Sequence, residues 1–110
     1  MRSEIALLGA LAIVATASAA SPASVTLTLK DHRFTPAEFT VPAGKAVTIN
    51  FVNQDLAVEE FDSRDLGVEQ GITPKGHATF TIGPLKPGDY HFMGELHPAT
   101  AQGKVTAVAQ

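Results

Sequence analysis

Apolar and polar residues alternate along almost the whole chain after residue 20, a pattern that a helix cannot use and a half-buried strand requires. Val25, Leu27 and Leu29 alternate with Thr26 and Thr28, and Val47, Ile49 and Phe51 alternate with Thr48 and Asn50. Phe80 and Ile82 alternate with Thr79 and Thr81, Tyr90 and Phe92 repeat the pattern, and Lys104-Val105-Thr106-Ala107 closes it. No stretch carries a helical period. The chain is therefore expected to be all-β.

The segments between these runs carry turn chemistry. Val41-Pro42-Ala43-Gly44 has proline second and glycine fourth, which suits a type I turn, and the Pro-Gly pair of Leu85-Lys86-Pro87-Gly88 suits type II. About seven short strands joined by such turns argue for an antiparallel sandwich. The stretch from Asp62 to Lys75 is the least regular and is expected to be a long loop crossing between the sheets, with room for one helical turn.

The N-terminus has a different character. Residues 1–20 run from a short start carrying Arg2, through the apolar stretch Ile5 to Ala15, into the small-residue tail Thr16-Ala17-Ser18-Ala19-Ala20. That order is the order of a secretory signal peptide, with cleavage after Ala19 or Ala20. The apolar run is too short for a permanent membrane anchor. Residues 21–110 are then a single domain, exported to the periplasm. Arg2 and Glu4 leave together, so the net charge of −3 survives processing. An acidic chain of this kind is a poor partner for nucleic acid and a better one for metal ions. There is no cysteine. No disulfide supports the exported domain, and its packing must carry the stability.

Two segments carry a family resemblance. The run Phe34-Thr35-Pro36-Ala37-Glu38-Phe39-Thr40-Val41-Pro42-Ala43-Gly44, followed by Val47-Thr48-Ile49-Asn50-Phe51-Val52-Asn53-Gln54-Asp55, resembles the first half of a small bacterial cupredoxin. Leu85-Lys86-Pro87-Gly88-Asp89-Tyr90-His91-Phe92 resembles the approach to that family's metal loop. The resemblance implies a Greek-key antiparallel β-sandwich with a metal site at one end.

The same resemblance implies where metal ligands would stand. The first histidine of the family, six residues after the asparagine matched by Asn53, falls on Glu59. The cysteine, two after Phe92, falls on Gly94, and the second histidine falls on His97, which is followed by Pro98. The axial methionine falls on Ala101. A blue copper centre needs a thiolate, so a blue electron carrier is excluded. Two readings stay open: a degenerate sandwich that has lost its metal, and a site rebuilt on Glu59 and His97 with help from Glu60, Met93 or Glu95.

Strand parity orders the helpers. Tyr90, Phe92 and Gly94 share one face, which sends His91 and Met93 to the other unless the strand ends there. Glu95 lies in the loop, where parity does not bind it. Glu59 and Glu60 are neighbours, so one facing the site turns the other away, and Glu59 holds the family position. His32 and His77 stand before or at strand starts and are expected to face solvent. The acidic run Asp55, Glu59, Glu60, Asp62, Asp65 and Glu69, opposed by Arg64 alone, reads as a solvated face that would also gather cations if it borders the metal loop.

A carboxylate with an imidazole is a harder donor set than blue copper uses; it suits Cu(II), Fe(II) or Mn(II) and leaves coordination positions open. The phrase Glu59-Glu60-Phe61-Asp62-Ser63, with the cysteine-free loop ending in His97, is similar to the periplasmic cupredoxin-like partners of ferrous-iron permeases. That similarity implies a copper ion as cofactor, iron as a second ligand or substrate, an inner-membrane iron permease as partner, and a copper-dependent ferroxidase-like activity. The contrasting expectation is a metal-free interaction module that docks on a membrane partner through its acidic loop.

Overall fold

The structure, a computed structural model, describes residues 23–110; the expected signal peptide lies outside them. Nine strands follow in chain order: β1 (Ser24–Lys30), β2 (Arg33–Thr35), β3 (Glu38–Pro42), β4 (Val47–Asn53), β5 (Glu59–Ser63), β6 (Val68–Ile72), β7 (His77–Ile82), β8 (Gly88–Gly94) and β9 (Gln102–Val108). They form one sheet in the order β2-β1-β4-β7 and a second in the order β3-β9-β8-β5-β6. The all-β sandwich expected from the alternation is present.

Two features of the sheets differ from the expectation. The pairings β1–β4 and β3–β9 are parallel, so both sheets are mixed. Residue alternation reports burial and is blind to strand direction. The stretch from Asp62 to Lys75 is mostly not loop: β5 and β6 form an antiparallel hairpin with Glu59 opposite Ile72 and Ser63 opposite Val68. Its outer strand has only its last residue, Ile72, buried, which is why it carries little apolar signal. Within this stretch, the crossing between sheets is confined to the few residues from β6 to β7. At the first predicted turn, Gly44 has φ of 79°, so its position relies on glycine's left-handed freedom.

The core lies between the sheets. Leu27, Leu29, Val47, Ile49, Phe51, Phe61, Ile82, Phe92 and Val105 are all buried. The Phe61 and Phe92 rings stack at 4.9 Å, and Phe34 meets Phe92 edge-on at 5.1 Å. Each such ring contributes roughly 1.5–3 kcal/mol by burial. Gly103 belongs to this packing, because a Cβ there would run into the Phe92 ring. Phe34 also fixes β2, a strand of 3 residues, to the core. The hairpin turn between β1 and β2 is therefore held in place at the sandwich end where the β4–β5 and β8–β9 connections lie.

Candidate metal centre

At that end Glu59 is completely buried. It opens β5 with Phe61 and Ser63 on the same inward face, and Phe61 lies opposite Gly94 across the β5–β8 pairing. This register directs the Glu59 side chain into the β8–β9 loop. Its Oε1 accepts hydrogen bonds from the backbone N–H groups of Glu60 and Leu96, both at 2.9 Å, and its Oε2 lies 2.6 Å from His97 Nδ1. A buried carboxylate without partners would be strongly unfavourable, and here two backbone N–H groups donate to it and an imidazole nitrogen lies within hydrogen-bond distance.

The loop that brings His97 to Glu59 is short and internally bonded. Gly94 N–H donates to Ala101 O, His97 N–H to Gly94 O, and Ala101 N–H to His97 O. Gly94 has to be glycine for a steric reason: a Cβ there would lie 2.8 Å from Glu59 Cδ and Oε2 and 2.7 Å from Ala101 Cβ. The carboxylate thus fills the space beside the cysteine position. Ala101, whose Cβ closes the same space from the other side, is buried.

The other sequence candidates lie elsewhere. Met93 is opposite Asp62 and Gln102 on the outward face of the sheet, as parity predicts, and the structure does not bring it to Glu59 and His97. Glu95 is also outside the pair. Its side chain hydrogen-bonds Glu60, and that bond, followed by burial and the charges of Glu95, Glu69 and Asp62, pushes the Glu60 carboxyl up to about 7. Glu60 thus faces away from the site, as its neighbour's position requires. The acidic run is divided between two places, since Asp55 is at the site end and Asp65 accepts a hydrogen bond from His91 N–H on the sheet's flank.

His77 is exposed at the start of β7, as expected. His32 is not solvent-facing: it is half-buried, and its ring stacks on His97 with centroids 3.6 Å apart and planes 13° from parallel. Asp55 holds it there by accepting the backbone N–H groups of Asp31 at 2.7 Å and His32 at 2.9 Å. Burial pushes the Asp55 carboxyl up, but these two N–H groups with the His32 and His97 charges outweigh it, and its pKa lies below the ordinary value. Asp55 is set in turn by buried Asn53, whose Oδ1 accepts Asp55 N–H and whose Nδ2 donates to Ala57 O and Thr73 O. The signal available in the sequence was the pair Asp31-His32 between two alternating runs, a hairpin connection of two residues.

A thiolate-type copper does not fit this end of the molecule, because position 94 has no side chain and no room for one. A carboxylate oxygen and an imidazole nitrogen are donors that suit a harder divalent ion, but at 2.6 Å they are in hydrogen-bond contact and would have to part for an ion to enter. Among the described residues, no group of three or more His, Cys, Asp or Glu side chains is placed to hold a metal ion.

The comparisons with known proteins agree with the fold. Residues 4–107 match the model of the cupredoxin-like domain. An uncharacterized protein of Rickettsia prowazekii (strain Madrid E) is 39% identical over 79 residues, which are 72% of this chain and 63% of that protein. Auracyanin A, a blue copper protein from Chloroflexus aurantiacus, superposes with a TM-score of 0.69 at 16% identity, over 80% of this chain and 100% of that one. Amicyanin from Paracoccus versutus gives a TM-score of 0.60 at 20% identity, over 77% of this chain and 81% of that one. The metal-binding domain of the Cu(I)-exporting P-type ATPase of Streptococcus pneumoniae D39, solved with Cu(I), gives 0.62 at 16% identity, over 77% and 84%. The chain belongs to the cupredoxin-like family.

Proposed function

We propose that this chain is a periplasmic cupredoxin-like protein that binds copper or iron at Glu59 and His97 and supports ferrous-iron uptake at an inner-membrane permease. The observation that carries the metal-binding part is the buried Glu59 carboxylate with Oε2 2.6 Å from His97 Nδ1. One proton occupies the gap between those atoms, and a divalent ion would replace it. Glu59 supplies the hard anionic donor and keeps its orientation through the Glu60 and Leu96 N–H groups. His97 supplies the nitrogen donor from the loop. Copper held there would supply a one-electron acceptor for Fe(II), the substrate of a ferroxidase-like activity. Glu95 and Met93, placed outside the pair, would act only as outer ligands or as a delivery path.

The iron and permease parts are supported by the resemblance of the Glu59-Glu60-Phe61-Asp62-Ser63 phrase to permease-linked proteins and by the acidic residues around this end. The test is the loss of Fe(II) under air. Chain loaded with Cu(II) should exceed the rate of free copper, and Glu59→Gln with His97→Ala should remove the excess. Equal rates would discard the oxidase role, and normal growth of a deletion strain on limiting ferrous iron would discard the uptake role.

A second reading has an observation of its own. Leu56 is 81% exposed, and Val58 and Leu96 are about half exposed; they flank Glu59 and His97 in the two connections at this end. In a metal-free interaction module these side chains would meet a membrane partner, with the acidic residues at their rim. A chain that binds no copper or iron and is still needed for growth would favour it.

A further inference from the structure

Leu56 stands in solvent beside two opposite charges. It lies in the connection between β4 and β5, is 81% exposed, and lines one open cleft of about 710 Å³ with Asp31 and Lys75 among others. Both of those residues are exposed. The ion pairs among the described residues are His91 with Asp65 and His97 with Glu59, so neither charge is answered by another side chain there. One residue fixes all three. Asp55 Oδ1 accepts the Asp31 N–H at 2.7 Å, Asp55 O accepts the Lys75 N–H at 2.9 Å, and Leu56 is the next residue in the chain. Asp31 and Lys75 have positive φ, 53° and 57°, a conformation that a surrounding framework has to hold. The patch is therefore pre-organised, which lowers what association costs in lost freedom.

We infer that this patch is a two-fold contact with a second copy of the chain, in which Leu56 meets Leu56 and Asp31 of each copy meets Lys75 of the other. The charges select the occupant. A partner surface of one sign would answer one of the two groups and repel the other, whereas a two-fold copy presents the opposite order and answers both. Such a contact is self-complementary. Val58 and Leu96, each about half exposed at the same end, enlarge the apolar area beyond a lone side chain, and contiguous area of this kind marks an interaction surface. Metal binding is not needed for it. His32 lines the same cleft and stacks on His97, so that stack lies at the border of the contact.

The experiment is sedimentation of the chain with a chelator present, so that no ion bridges two copies, over a concentration series up to about 1 mM. The parent should dimerise reversibly. Asp31→Lys and Lys75→Asp each set like charges against one another and should each weaken dimerisation by at least about tenfold. Leu56→Ser should weaken it too, by removing the apolar centre. An equal mixture of Asp31→Lys and Lys75→Asp chains should restore dimers, because one copy then carries two cations and the other two anions. At positions 31 and 75 the fold uses backbone groups, so these exchanges leave its hydrogen bonds in place. A parent that stays monomeric through the series, single variants that dimerise as the parent does, or a mixture no more dimeric than its components would each overturn the inference and leave the patch to a different partner.

Discussion

Glu59 and Gly94 share one space: the carboxylate of the first occupies what a side chain on the second would need, with 2.8 Å between Glu59 Cδ and a Cβ built on Gly94. The family resemblance of the sequence implies the first histidine and the cysteine at these two positions. Because they share that space, substitutions at the two positions should be coupled, and the coupling is measurable.

Gly94→Ala should destabilise the fold by about 1–3 kcal/mol, the range for forcing an extra methyl into a packed site. The damage should be smaller in a Glu59→Ala background, where the carboxylate no longer competes, though the 2.7 Å approach to Ala101 Cβ stays. Denaturant unfolding of both single variants and the double variant checks it, and strict additivity would mean that the two residues do not share the space.

Glu59→Ala alone leaves the Glu60 and Leu96 N–H groups without their acceptor. The expected loss is about 1–3 kcal/mol for the unpaired groups, and Glu59→Gln, which keeps an acceptor oxygen, should lose less. Thermal melts of metal-free protein rank the two variants. A Gln variant as damaged as the Ala variant would show that the negative charge, and not the acceptor, is what the loop requires.

The Glu60 carboxyl is raised from 4.5 to about 7 by its bond to Glu95, so the folded chain holds a proton that the unfolded chain releases. Stability from this source is complete below the unfolded value and is lost as pH rises through the folded one. Metal-free protein should therefore lose stability between about pH 5 and about pH 8, and Glu95→Gln should flatten the slope. Urea titrations at those two values measure it.

Asp55 behaves with the opposite sign. Its carboxyl is held below the ordinary 3.8, so the stability it lends the Asp31–His32 turn is present above that value and lost as pH falls through the lowered one. Asp55→Ala should free the turn at neutral pH. The His32 and His97 ring protons, shifted by their mutual stacking, should then move toward free-histidine positions in the NMR spectrum.

The strands and the Glu59–His97 pair were legible in the sequence for different reasons. Alternation such as Val47-Thr48-Ile49-Asn50-Phe51 states which face is buried, and the spacing of Glu59 from Asn53 and of Gly94 from Phe92 carries the family frame. Parallel pairing of β1 with β4 leaves no mark on alternation. The edge strand β6 has one fully buried residue, so its five residues read as loop. His32 was missed because its contact with His97 crosses between two connections, where parity gives no direction. Only the folded hairpin turn brings the rings together.

Metal binding by Glu59 and His97 is tested most directly by titration. Cu(II) titrated into metal-free chain should bind without the intense blue thiolate band, since the chain has no cysteine. His97→Ala and Glu59→Gln should each weaken binding by at least about tenfold, and exposed His77→Ala should leave it unchanged. Equal binding by the parent and all three variants would contradict the account and return the chain to a sandwich without a metal.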